Sequence, residues 1–189
     1  LFASEEGHTK VVSLLLAKEG VDVNQADKIG WAPLLVASEN GHTKVVSLLL
    51  AKEGVDVNQA DKNCVTPLLF ASAGGHTEVV TLLLAKDGVD VNKADKFGAT
   101  PVNNAISYGH TEVVSLLLAK EGVDVNQANK DGVTPLFFAS ENCHTKVVSL
   151  LLAKEDVNVN QADKDGWAPL NIASQKGHTN VVSLLLAKE

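Results

Sequence analysis

Two apolar patterns alternate along the chain. In "HTEVVTLLLAK" (76–86), Val79, Val80, Leu82, Leu83 and Leu84 cover most of a helix's circumference, so this helix has to be buried on most sides. In "TPLLFASAGG" (66–75) a shorter apolar run follows Thr66 and Pro67. Thr suits a helix N-cap, and Pro at the first helical position loses nothing, because its N–H would have no partner there. Gly75 then predicts an exit through a left-handed turn. Between helix pairs, "VDVNKADKFG" (89–98) sets turn formers among β-branched residues and predicts an extended hairpin.

The pattern repeats. His stands at 8, 42, 76, 110, 144 and 178, and Pro at 33, 67, 101, 135 and 169, each 34 residues after the last. Thr100 and Thr134 repeat the capping Thr66. A fixed period of this size marks a solenoid. Complete copies run over 27–60, 61–94, 95–128 and 129–162, with partial copies at 1–26 and 163–189. One helix pair of this size cannot bury its own leucines, so neighbouring copies have to stack. No linker interrupts them, which predicts one elongated array over 1–189.

The succession Asp-x-x-Gly-x-Thr-Pro-Leu, Gly-His-x-Glu-Val-Val-x-Leu-Leu-Leu and Gly-x-Asp-Val-Asn resembles the ankyrin repeat, and the resemblance extends over the whole chain. It implies an all-α ankyrin-repeat solenoid of stacked helix-turn-helix units with protruding hairpin loops. The tetratricopeptide repeat has a similar period, but its Trp, Gly-Tyr and Phe spacings are missing. Two departures from the ankyrin pattern run along the chain. The family's period is about 33 residues, and the extra residue (Glu53, Asp87, Glu121 and Glu155 in one placement) is expected to lengthen the second helix or bulge its exit. The family's Thr-Pro-Leu-His carries Leu35, Leu69, Asn103, Phe137 and Asn171 in the His slot, so packing replaces part of a polar network, while Asn103 and Asn171 can bond a neighbouring hairpin.

The second helix hardly varies between copies; the hairpin tip and the first helix do. The tips carry Ile29 and Trp31, Asn63 and Val65, Phe97 and Ala99, Asp131 and Val133, and Asp165 and Trp167. The first helices end in Glu39 and Asn40, Ala73 and Gly74, Ser107 and Tyr108, Glu141 and Asn142, and Gln175 and Lys176. The resemblance places these positions along a concave groove that contacts partner proteins. Trp31, Phe97 and Trp167 are expected to stand exposed on the tips, and Tyr108 at the groove edge of a central copy. Trp and Tyr are enriched at interface hot spots. Asn104 occupies a slot held elsewhere by Val36, Phe70, Phe138 and Ile172, so it is expected in the core, where it would need Asn103, a backbone group or a water as partner. Unselected surface drift would also vary these positions.

Composition narrows the function. The net charge is −7 and all 16 basic residues are Lys. Nucleic acid and anionic membrane surfaces are therefore poor partners, since phosphate binding needs basic patches and base readout favours Arg. No apolar run approaches the ~18 residues of a membrane span. The start "LFASEEGHTK" has neither the basic stretch nor the cleavage site of a signal peptide. The absence of Met suggests a chain cut from a longer product.

The six His tempt a metal reading. Stacked helices lie about 8–10 Å apart, whereas ligand nitrogens sit about 2 Å from one zinc, so the His are expected to pack and hydrogen-bond at the start of the second helix. Cys64 and Cys143 are too far apart to pair and suit a reducing compartment. No phosphate loop, nucleophile elbow or metal-ligand spacing occurs, and the Asp and Lys of "ADK" read as a solvated face. The expectation is an intracellular, cytoplasmic protein-binding scaffold, not an enzyme, without cofactor. The alternatives are an array that associates end to end with itself and a designed or consensus scaffold without a natural partner. Three further expectations concern structure. Cys64, Cys143 and Asp156 replace repeat glycines, and 143 and 156 look like left-handed helix ends. Both ends are expected to expose surface that internal copies bury: the first copy, which begins inside its first helix at Leu1, and the last stripe, Val181, Val182, Leu184, Leu185 and Leu186, at the C-terminal end.

Overall fold

A computed structural model describes residues 1–188. Helices α1 (Phe2–Glu5) and α2 (Thr9–Leu16) form the first pair. Then follow α3 (Pro33–Glu39) with α4 (Thr43–Leu50), α5 (Pro67–Ala73) with α6 (Thr77–Leu84), and α7 (Pro101–Ser107) with α8 (Thr111–Ala119). The last pairs are α9 (Pro135–Glu141) with α10 (Thr145–Leu152), and α11 (Pro169–Gln175) with α12 (Thr179–Leu186). Odd-numbered helices pack on odd-numbered neighbours and even on even, giving two layers with the apolar core between them. No strand occurs among the described residues. The solenoid read from the sequence is therefore the fold.

The local signals act as their chemistry dictates. Thr66, Thr100 and Thr134 Oγ1 accept the N–H groups of Leu69, Asn103 and Phe137 at 3.1–3.2 Å, each satisfying one orphan donor of a helix N-terminus. Ala32 and Ala168 stand in the same slot without a side-chain cap. In the second helices Val45 and Val46, with Leu49 and Leu50, are buried, and so are their equivalents in the internal copies.

The extra residue does not lengthen the helix. Second helices end at the third Leu, except α8, which continues through Ala119. The chain leaves each internal second helix in a turn, from which a Lys reaches back over the preceding copy. Lys52, Lys86 and Lys120 Nζ donate to the carbonyls of Leu16, Leu50 and Leu84 at 2.8–3.0 Å, and Lys154 does the same to Leu118. Each carbonyl lies at a helix C-terminus, where backbone acceptors lack partners and the dipole favours a cation.

Three expectations need correction. Asp156 is not left-handed, whereas Gly54, Gly88 and Gly122 in the same slot have φ of 78–81°; of the glycine replacements, Cys64 (φ 63°) and Cys143 (φ 58°) are the left-handed ones. Asn104 is only half-buried, as are Phe70 and Phe138, whereas Val36 and Ile172 in the same slot are buried. The buried Asn is Asn103 instead. Its Nδ2 reaches the Gln127 carbonyl at 3.5 Å, and its Oδ1 is buried without a partner. At the C-terminal end Val181 and Leu185 are buried, Val182 and Leu184 are half-buried, and Leu186 is the exposed member of the stripe. The barer end is the first, where Phe2, Val11, Leu14 and Leu15 are exposed. Val11 and Leu15 have the same register as Val45 and Leu49, which are buried by α2, the second helix of the preceding copy.

Candidate functional site: the concave groove

Three side-chain ladders hold the copies in register. His42, His76, His110 and His178 bond through Nε2 to the carbonyls of Glu5, Glu39, Ala73 and Glu141 in the preceding copy, at 2.8–3.0 Å. Each His thereby joins the start of its second helix to the end of the previous first helix. Among the described residues His144 makes no such bond, so the ladder is interrupted just after the copy that carries Tyr108. The Asp-Val-Asn links supply the second ladder. Asn58 Nδ2 donates to the Gly88 carbonyl (2.6 Å) while its Oδ1 accepts the Asp90 N–H (2.9 Å), and Asn24, Asn92 and Asn126 act likewise. The Lys ladder is the third.

The hairpin tips are shaped by the residue that opens each one. Asp61 Oδ1 accepts the N–H groups of Asn63 and Val65, both at 2.8 Å, and Asp27, Asp95, Asn129 and Asp163 do the same in their copies. This Asp is therefore a turn former rather than simply a solvated residue. Adjacent tips are tied through the backbone, as in Lys96 N–H to Asn63 O at 2.9 Å. The variable positions thus rest on a scaffold fixed by backbone groups and by recurring side chains.

The tip residues Ile29, Asn63, Phe97, Asp131 and Asp165 are all exposed. Phe97 is 63% exposed, with Lys96 Nζ 5.0 Å from its ring centroid. Val65, Ala99 and Val133 are half-buried. Trp31, expected to stand free, is half-buried too: its ring packs edge-on against Phe70 of the next copy, with centroids 6.1 Å apart. Trp167 remains 38% exposed. At the first-helix ends Glu39 and Glu141 are half-buried, while Asn40, Ser107, Asn142, Gln175 and Lys176 are exposed. Asn40 and Asn142 turn their amides onto the Val36 and Phe138 carbonyls of their own helices, at 2.9 Å. Tyr108 is 66% exposed and stacks on His110, centroids 6.4 Å apart.

A cavity opens between the last two hairpins. It measures about 520 Å³ and is lined by Asp131, Val133, Glu141, Asp165, Trp167 and Gln175, all variable positions, and by Phe137, Asp163, Lys164 and Ile172. Comparison of copies missed Asp163 and Lys164 because the "ADK" stretch hardly varies; their contribution is visible only once the hairpin is folded. Lys176 pairs with Glu141 across this seam at 3.3 Å. At the other end of the groove, partial burial raises the Glu39 carboxyl above the ordinary carboxylate range, and the charges of Glu5 and Asp61 raise it further. Cys64 and Cys143 are free and exposed. Among the described residues no three His, Cys, Asp or Glu side chains gather as metal ligands, and no helix is long and apolar enough to cross a membrane.

Comparison with known proteins places this architecture. A family model described as "Ankyrin repeats (3 copies)" matches residues 1–61, 54–129, 88–161 and 105–189. An ankyrin repeat domain from Acinetobacter baumannii AYE is 31% identical and superposes with a TM-score of 0.90, covering 99% of this chain and 95% of that one. The ankyrin repeat protein EF0377 is 27% identical with a TM-score of 0.91, covering 98% of this chain and 94% of that one. No curated protein matches the chain in sequence. With helix pairs, hairpins and inter-copy bonds recurring at one period and the family model matching from the first residue to the last, the chain belongs to the ankyrin repeat family.

Proposed function

We propose that the chain binds a partner protein along the concave groove formed by its hairpin tips and first helices. Ankyrin repeats are generally protein–protein interaction modules and typically not enzymes, and the fold supplies a rigid frame for such a surface. One observation carries the reading. The residues that hold neighbouring copies together recur along the chain, whereas the residues facing the groove change and include bare aromatic rings. Phe97 and Tyr108 lie in a central copy, so their exposures of 63% and 66% are not effects of the ends. Large aromatic surface left in water at varied positions fits hot-spot residues awaiting a partner. The two exposed thiols fit a reducing compartment, in keeping with an intracellular scaffold.

The test is affinity capture with the chain and with its Phe97→Ala, Tyr108→Ala, Trp167→Ala triple variant. Trp31 is left out because its ring packs on Phe70. The triple variant should keep its helical spectrum and lose the captured protein, each hot-spot residue contributing about 2 kcal/mol or more. Retention of the same protein at unchanged affinity refutes groove binding.

A second reading, end-to-end association of this chain with itself, is favoured by the apolar surface at its two ends. Val11 and Leu15 are 46% and 49% exposed at one end and Leu186 is 53% exposed at the other, while their internal equivalents are 9% or less. Sedimentation velocity across a concentration series tests it. A sedimentation coefficient independent of concentration rules it out.

A further inference from the structure

Charge is distributed unevenly along the groove. The exposed tip residue is Ile29, Asn63 and Phe97 in three successive hairpins, then Asp131 and Asp165 in the last two. Asp131, Asp163, Asp165 and Glu141 line the same cavity, over an apolar floor of Phe137, Val133 and Ile172 and beside Trp167. Lys164 also lines it, and Lys176 neutralises Glu141 from its rim. Two carboxylates remain in excess. Asp163 is held by its turn bonds to the Asp165 and Trp167 N–H groups. Among the described residues the carboxylates of Asp131 and Asp165 have neither an ion-pair nor a hydrogen-bond partner.

We propose that this cavity takes a cationic side chain, Lys or Arg, from a peptide segment of the partner protein. The inference rests on the groove reading and names the chemistry of what the groove receives. A Lys or Arg suits both halves of the cavity. Its alkyl stem covers apolar surface while its head stays at the polar rim, where Asp131 and Asp165 supply unpaired acceptors. Trp167 offers an aromatic wall beside the cation. An acidic segment would meet uncompensated carboxylates, and a purely apolar one would leave them over a dry floor. The net charge of −7 adds long-range attraction for a basic partner, and the acidic group formed by Glu5, Glu39 and Asp61 extends this field to the opposite end of the groove.

The experiment selects a phage-displayed random dodecapeptide library against the full chain and measures the enriched peptides by fluorescence anisotropy. Enrichment in Lys and Arg is expected. Such peptides should weaken about tenfold or more on Trp167→Ala and several-fold on the Asp131→Asn, Asp165→Asn double variant, and the effect of the double variant should shrink at high salt. The double variant changes two exposed side chains without bonds in the chain, so it keeps the test independent of folding. Enriched peptides that are neutral or acidic yet lose binding on Trp167→Ala overturn the cationic proposal and leave the groove reading standing. Enriched peptides that bind both variants as tightly as the parent overturn both. Failure to enrich any sequence overturns the cationic proposal.

Discussion

Cys64 and Cys143 occupy left-handed backbone at φ 63° and 58°, in slots that other copies fill with Gly. A residue with a Cβ loses about 1–2 kcal/mol there. In some copies the slot is also tight, although Gly109, Gly166 and Gly177 have room for a Cβ. A Cβ added at Gly98 or Gly132, which share the slot of Cys64, would lie 2.9 Å from the backbone nitrogen of the next hairpin's Lys. One added at Gly41 or Gly75, in the slot of Cys143, would lie 2.5–2.6 Å from the next copy's His ring. Restoring Gly relieves the left-handed strain, against an increase in unfolded-chain entropy of about 0.4–1 kcal/mol. The net expectation is a gain of about 0.5–1 kcal/mol for Cys64→Gly and for Cys143→Gly. For a chain of this length that raises the midpoint by about 2–4 °C per kcal/mol. Asp156 is the internal control. It too replaces a repeat Gly, but its φ is not positive, so Asp156→Gly relieves nothing and should be neutral or destabilising. Thermal melts under reducing conditions separate the three. Equal shifts for all three variants, or lowered midpoints for both Cys variants, refute the backbone argument.

Other sites give equally direct outcomes. Asn103→Leu, which restores the residue found at Leu35 and Leu69, removes the unpartnered buried Oδ1 and should stabilise the chain by about 1 kcal/mol or more; a lower urea midpoint contradicts this. Lys86→Met keeps the aliphatic stem but loses the bond to the Leu50 carbonyl, and should cost about 1 kcal/mol in chemical denaturation, whereas Lys44→Met, on an exposed helix face, should cost little. Glu39 has a raised folded-state pKa, so the folded chain holds its proton more tightly than the unfolded one. Its contribution to stability is therefore lost as pH rises from the ordinary Glu pKa through the raised one. Glu39→Gln should flatten that part of the stability–pH curve and gain stability above it, and an unchanged curve would show that burial there is not felt.

Much of the architecture was legible because each copy states the same local rules. Thr-Pro starts, Gly exits and the dense Val-Leu stripe fix a helix pair, and the period fixes the stacking. What the sequence could not show was where side chains reach across copies. The Lys ladder was hidden in a motif that looks like an exposed helix end, and its role appears only once neighbouring copies stack. Trp31 looked free because Phe70, a full period away, covers it. Asn104 looked buried because its equivalents are apolar, and Val36 and Ile172 are buried there, yet in its own copy the slot is half open and the cost falls on Asn103. At Asp156 a Gly-for-Asp exchange looked like left-handed strain, but here the backbone changed instead of the side chain being strained. The variable positions were legible in the sequence; the cavity that some of them line between the last hairpins was not, because Asp163 and Lys164 are nearly invariant.

The groove claim is tested most directly by hydroxyl-radical footprinting of the chain with and without its captured partner. Phe97, Tyr108 and Trp167 are exposed and belong to the proposed groove, while Leu48 and Leu82 are partly exposed on the second helices, where they line a separate shallow depression of about 590 Å³. Partner binding should suppress oxidation of the three aromatic residues and leave the two leucines unchanged. Protection of Leu48 and Leu82 with undiminished oxidation of Phe97, Tyr108 and Trp167 would contradict it.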